Sequence, residues 1–212
     1  MGTLAKVDTI NRQIQSLLKR VFDFVFAGVA LLMLSPAIAV IALAIKLEDG
    51  SPVFFVQERA GKDGKPFRCI KFRTMIVGAE SKGLGLEIAK DDERITRVGR
   101  VLRHWTLDEI LQLLNALKGE MSIVGPRPTV MSQVNRYTPD QRRRLEVKPG
   151  MAGWAWIHGR NRLSWAERIE LDIWYVDHWS FWLDLTILFQ AFLLLLRHEG
   201  VYGEDGVVRD LE

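Results

Sequence analysis

The chain has 212 residues, 48% of them hydrophobic and 26% charged, with a formal net charge of +3. That length holds one domain with a real core plus a membrane element, and the small basic excess suits a membrane surface or an acidic substrate without implying nucleic acid. The single cysteine, Cys69, excludes an intrachain disulfide, and the four histidines form no zinc-type pair.

The first element is an apolar run. From Phe24 to Ile45 there is no charge, and Asp23 and Lys46 bracket the stretch. As a helix it is about 33 Å long, against a hydrocarbon core of about 30 Å, so a crossing is allowed by length. It is too long for a cleaved leader. Basic residues stand on both flanks, Lys19 and Arg20 before it and Lys46, Arg59 and Lys62 after it. The positive-inside tendency puts both flanks on the cytoplasmic side. A helix that bends back at Ser35-Pro36 satisfies both, because proline lacks the amide hydrogen and crowds the preceding turn. The serine hydroxyl is placed to take up a carbonyl the proline frees. A kinked spanning helix is the plainer alternative, and the residues alone do not separate the two.

Next comes a hairpin signature. Val53–Arg59 and Phe67–Thr74 read as strands around an Asp63-Gly64 turn. Alternation puts Lys71 and Arg73 on one face and Phe72 on the other, giving either a phosphate-binding pair or a solvated face. Residues 77–93, rich in glycine and charge, read as a mobile loop.

Thr106 and Glu109 have capping-box spacing, which predicts a helix from near Leu107 to Gly119. Asp108 then lies in the first turn, where free amides and the helix dipole lower a carboxyl pKa. An acidic pair at a helix start is also an ordinary cap. Arg127 sits between Pro126 and Pro128, whose rings stiffen the backbone and hold a guanidinium ready for phosphate; an exposed arginine on a rigid loop is the alternative. Thr138 to Gln141 marks another helix start, and Arg142-Arg143-Arg144 after it reads as a solvated or headgroup-facing face. Lys148-Pro149-Gly150 leads into a loop or short strand that carries Arg160. Ser164 and Glu167 repeat the capping-box spacing and open a helix with Trp165, Trp174 and Tyr175. Residues 181–196 are apolar, too short to span, and interrupted by Asp184. Their tryptophan-rich approach suits the headgroup boundary, with a buried core helix as the competing account.

Taken in order, KRVFD, Ser35-Pro36, QERAG, KFRTM, DERITRVGRVLR, LDEI, LKGEMSIVGPRP, KPGMAGWA and GRN resemble the bacterial sugar transferase family, the monotopic polyprenol-phosphate phosphoglycosyl transferases. The resemblance runs from Lys19 to about Gly200. It implies an α+β, mostly helical fold with a re-entrant helix bent at Ser35-Pro36 in residues 1–50. Residues 51–212 are then a membrane-associated cytosolic domain with interfacial amphipathic helices, on the cytoplasmic face of a bacterial inner membrane. It implies transfer of a sugar-1-phosphate from a UDP-sugar to a polyprenyl phosphate, undecaprenyl phosphate above all, with release of UMP. By resemblance the catalytic dyad is Asp108 and Glu109, which also hold magnesium, and the phosphate-binding cations are Lys71, Arg103, Arg127 and Arg160. Asp108 is the implied nucleophile of an aspartyl-phosphosugar intermediate. The partners implied are donor, lipid acceptor and membrane lipid, without nucleic acid; a homo-oligomer stays open.

Three positions depart from the family pattern. Leu111 replaces a usual proline, which lets the helix run more regularly past the dyad. GWAWIHGR stands for GWAQVNGR, introducing Trp156 and His158, the latter beside Arg160 where sugar selection or pH response is affected. A membrane-anchored scaffold with structural charges is the rival reading. A conventional nucleotide-sugar glycosyltransferase lacks its Asp-X-Asp motif here, and neither G-x-G-x-x-G nor Walker A occurs.

Overall fold

The computed structural model describes residues 2–79, 88–89, 92–197 and 207–208. Most of the expected loop at 77–93 lies outside the described residues. Helix α1 (Gly2–Asp49) leads into a hairpin of β1 (Phe54–Ala60) and β2 (Pro66–Phe72), followed by the short strand β3 (Ile88–Ala89). Helices α2 (Arg97–His104) and α3 (Gln112–Lys118) precede strand β4 (Ser122–Val124) and helix α4 (Met131–Val134). Strand β5 (Gly150–Ala152), helices α5 (Trp154–Ile157), α6 (Trp165–His178) and α7 (Phe181–Arg197), and strand β6 (Val207–Val208) complete the order. The fold is mostly helical, with three two-stranded sheets among the described residues: β1–β2 and β3–β6 antiparallel, and β4–β5 parallel.

Helix α1 is one continuous helix that contains Pro36. Ser35 Oγ donates to Leu32 O at 2.8 Å, the carbonyl that an amide at position 36 would have served. A single stripe runs along α1 at helical spacing. Ala27, Ala30, Leu31 and Leu34 pack into one core with Leu113, Ile123, Tyr175 and Ile187. Ile38, Ile41, Ala42 and Ile45 pack into a second with Phe72, Leu102 and Leu111. Residues at i, i+3, i+4 and i+7 share one helix face, so the stripe continues in phase past the proline. The opposite face stays bare, with Leu32 76% and Leu47 77% exposed.

Both ends of the apolar stretch are tied to the same body. At its start, Lys19 bridges to Asp184 (2.5 Å) and donates to Val124 O, while Asp23 accepts from Ser122 Oγ and Ile123 N, both at 3.0 Å. At its finish, Glu48 accepts from Arg97 N and Val98 N at 2.7 and 2.9 Å, and Asp49 pairs with Arg73. Arg73 therefore anchors a helix end and does not join Lys71 as a phosphate pair; its side chain also donates to the Asp49 and Gly50 carbonyls.

Helix α6 has the expected reciprocal cap between Ser164 and Glu167. Thr138 and Gln141 cap one another in the same way, but open only a 3-10 turn at Gln141–Leu145. In α7 both expected roles share one helix. Asp184, Ile187 and Ala191 face the core, while Trp182, Phe189, Phe192 and Leu196 are exposed.

Candidate active site

Helix α2 begins on Thr96, whose hydroxyl accepts from Gly99 N, with Glu48 of α1 taking the two preceding amides. It ends at Trp105. Thr106 then adopts φ 56°, a left-handed conformation costly for a β-branched residue. The expected Thr106 cap is absent: Leu107–Glu109 form one 3-10 turn and α3 begins only at Gln112. Leu111 does not smooth this junction either. Its side chain is buried in the second core, so the break persists without a proline. The departure from helical geometry lets Asp108 and Glu109 both border one cleft.

Three other elements reach that cleft. Buried Asn115 of α3 accepts from Ile70 N and donates to Arg68 O, which docks β2 alongside and brings Lys71 Nζ to 2.8 Å from Glu109 Oε1. The β4–β5 pair positions the Gly125–Pro128 loop. Gly125 N donates to Ala152 O, and a Cβ on Gly150 would lie 2.0 Å from Gly125 N, so that close approach requires glycine. Arg127 Nη2 reaches the same Glu109 oxygen at 3.2 Å. Arg160 sits in a 3-10 turn after α5 at φ 52° and donates to Thr106 Oγ1 at 3.2 Å. Arg103, near the end of α2, donates to Thr74 Oγ1 at 2.8 Å.

Arg103, Asp108, Glu109, Arg127 and Arg160 thus line one cleft of about 930 Å³ including its mouth, with Lys71 against Glu109. Every expected site residue of the cytosolic part converges there. The carboxyls are not equivalent. Burial, reinforced by the neighbouring Glu109 carboxylate and opposed by Lys71 and Arg103, pushes Asp108 up to about 6. This reverses the lowering expected from a helix start, because burial and the adjacent carboxylate outweigh the groups that lower it. Burial acts on Glu109 in the same sense, but Arg127 and Lys71 outweigh it and hold that carboxyl below the usual range. Burial, together with repulsion from Arg127, draws Arg160 down to about 10, with Glu109 opposing.

The cleft has a second cationic wall that the sequence did not announce. Arg144, Trp165, Arg168 and Asp172 line it. Arg144 is not part of a solvated triple: it is 2% exposed, pairs with Asp172, and donates to Tyr137 Oη and Arg127 O at 2.6 and 3.2 Å. Nothing local distinguishes it from Arg142 and Arg143, since its acid partner is 28 residues away. Thr106 and Trp156 were likewise missed as parts of the site. His158 turns elsewhere, its ring packing tilted against Trp154 with centroids 4.1 Å apart.

Among the described residues no group of three or more His, Cys, Asp and Glu side chains could hold a metal ion by itself. Magnesium does not require one, because it commonly takes one or two carboxylates together with substrate phosphates and water. Two adjacent carboxylates facing four cations fit that pattern. Lys71 Nζ and Arg127 Nη2 both donate to Glu109 Oε1, so cations already stand where phosphate and a metal ion would meet the carboxylate.

The family model for bacterial sugar transferases matches residues 14–198. The chain is 49% identical over 195 residues to the uncharacterized sugar transferase EpsL of Bacillus subtilis, covering 92% of this chain and 95% of that protein. It is 42% identical to the UDP-glucose:undecaprenyl-phosphate glucose-1-phosphate transferase of Escherichia coli, over 86% of this chain and 41% of that protein. Identity to the undecaprenyl-phosphate galactose phosphotransferase of Salmonella typhimurium is 39%, over 87% of this chain and 42% of that protein. The chain therefore spans under half the length of these last two relatives.

Proposed function

Since this chain belongs to the bacterial sugar transferase family, we propose that it transfers a sugar-1-phosphate from a UDP-sugar to a polyprenyl phosphate, with undecaprenyl phosphate as the acceptor. The observation that carries this reading is the meeting of two unlike carboxyls and four cations, drawn from five separate segments, in one cleft. A diphosphate repels an attacking carboxylate, so its charge must be masked before chemistry proceeds. Arg103, Arg127, Arg160 and Lys71 supply that masking, with arginine forks suited to paired phosphate oxygens.

Asp108 acts as nucleophile. One of its oxygens bonds to the phosphorus that carries the sugar, the bond from that phosphorus to the bridging oxygen breaks, and UMP departs with the electron pair. A phosphate oxygen of the lipid then attacks the same phosphorus, and Asp108 leaves as a carboxylate. Splitting one displacement into two lets two bulky substrates use the site in turn. Glu109, held ionised by Lys71 and Arg127, keeps those cations oriented while Asp108 changes its bonding. Asp108 and Glu109 are the residues that would hold magnesium, which when bound supplies further neutralisation of phosphate charge.

A membrane setting follows from α1. A crossing helix carries its ends to opposite faces, whereas here Lys19 and Glu48 both contact the same polar body. That supports an apolar segment which enters and leaves by the cytoplasmic face, bending at Ser35-Pro36, with the bare sides of α1 and α7 in lipid. Cysteine labels at positions 12 and 50 should react only from the cytoplasmic side of sealed vesicles, and labelling from opposite sides would refute re-entry.

The decisive test is a panel of UDP-sugars with undecaprenyl phosphate and purified protein, read as UMP release. One donor should turn over, and donor alone should leave a phosphosugar on Asp108. No UMP from any donor would favour a non-catalytic scaffold.

A further inference from the structure

Trp156 and His158 replace the glutamine and asparagine of the family pattern, and the structure separates their roles. His158 Nδ1 lies 2.8 Å from Trp154 O, and its ring begins an aromatic column through Trp154 and Trp174 to His178. It does not line the cleft. Trp156 does, and the Arg160 guanidinium lies over its ring, 4.3 Å from the centroid. The rest of the indole packs against the main core, so the ring itself is held.

Arg160 has reason to need such a seat. It is 9% exposed, and its backbone has left-handed φ, as does that of Thr106, whose hydroxyl it meets at 3.2 Å. Two non-glycine residues in this conformation, hydrogen-bonded across one cleft, are strain that the surroundings must maintain. Thr106 lies two residues before Asp108, so whatever fixes Arg160 also fixes the turn that carries the dyad. A flexible arginine loses rotamer freedom when it is held, and an aromatic face that attracts the cation lowers that penalty. A glutamine at 156 would offer one amide and no such face.

Resting on the function proposed above, we propose that Trp156 is a positioning residue, seating the Arg160 guanidinium so that it serves the diphosphate of the nucleotide donor and the Thr106 turn together. The probe is UDP with magnesium, titrated by calorimetry into the full chain in lipid nanodiscs. Trp156→Leu keeps apolar packing and removes the π face; Trp156→Phe keeps a weaker face. The leucine variant should bind UDP about tenfold more weakly and the phenylalanine variant no more than about threefold. Both should melt within about 3 °C of the parent. Arg160→Gln removes the cation, and on that background Trp156→Leu should cost nothing further, because the interaction it deletes is already gone.

Parental affinity in Trp156→Leu, or losses that multiply in the double variant, would overturn the clamp while leaving the transferase reading intact. If Trp156→Leu does not fold, the same cycle run with Trp156→Phe decides, on its smaller effect. A parent chain that releases no UMP and binds no UDP would overturn both proposals.

Discussion

Helix α1 and the turn at Leu107–Glu109 fix their residues in opposite ways. In α1, one apolar stripe repeats at helical spacing on both sides of Pro36, and each position reinforces its neighbours. A defect there is absorbed locally: Ser35 takes up the Leu32 carbonyl, and the helix continues. The turn has no repeat to support it. It rests on a left-handed Thr106, a hydrogen bond from Arg160, and ion pairs from Lys71 and Arg127. Redundant apolar contact tolerates substitution, whereas a polar constellation assembled from distant segments does not.

The contrast is broken most severely at Asp108. Asp108→Asn should lower UMP release by on the order of 10⁴-fold, as expected when a nucleophile is lost, and abolish the covalent adduct. Yet the fold should gain. The folded carboxyl titrates at about 6 against 3.8 for the ordinary group, so the folded state holds that proton more tightly than the unfolded chain. This group thus favours folding more as pH falls from about 6 to 3.8, and works against the fold above 6. Asp108→Asn should melt higher than the parent at pH 7, with the difference shrinking toward pH 4. A lower melting temperature at pH 7 would contradict the placement of Asp108.

Arg127→Lys keeps the charge and loses the fork. Its turnover should drop by about 10²-fold, with the folded state intact by circular dichroism. Activity near parental would remove Arg127 from the phosphate-binding set. More modest is the pH profile: kcat/KM should decline about tenfold per unit below pH 6, as the free enzyme's nucleophile takes up its proton. A flat profile between pH 7 and 5 would count against an ionised Asp108 as nucleophile.

The smallest effect belongs to the link between the two regions. Glu48, near the end of α1, caps the first amides of α2, whose other end leads into the dyad turn. Glu48→Ala should cost about 1 kcal/mol of stability in chemical unfolding, as a lost cap does. An unchanged midpoint would mean that water serves those amides equally well.

Legibility follows the same division. The hairpin was readable because Phe72 and its neighbours alternate and Asp63-Gly64 marks the turn; Asp63 and Gly64 both have positive φ. The Ser164–Glu167 cap was readable because both partners lie within one helical turn. The identical spacing at Thr106–Glu109 misled, since a capping box describes a helix start only when Thr106 has extended backbone. Arg127 carried a local signal in its flanking prolines, whereas Arg103 and Arg160 were singled out through family motifs alone. Arg144 was misread because burial of an arginine depends on a distant acid, here Asp172.

The sequence by itself determined the long apolar helix, the hairpin, the capped α6 and the chemical types available for reaction, because each depends on residues within a few turns of one another. Only the tertiary structure decided that Asp108 is raised while Glu109 is lowered, that Arg73 anchors a helix while Lys71 serves the dyad, and that Arg144 lies inside. Those outcomes depend on desolvation and on charges brought within a few ångströms from remote segments, and such electrostatic terms exist only once the chain has closed around them.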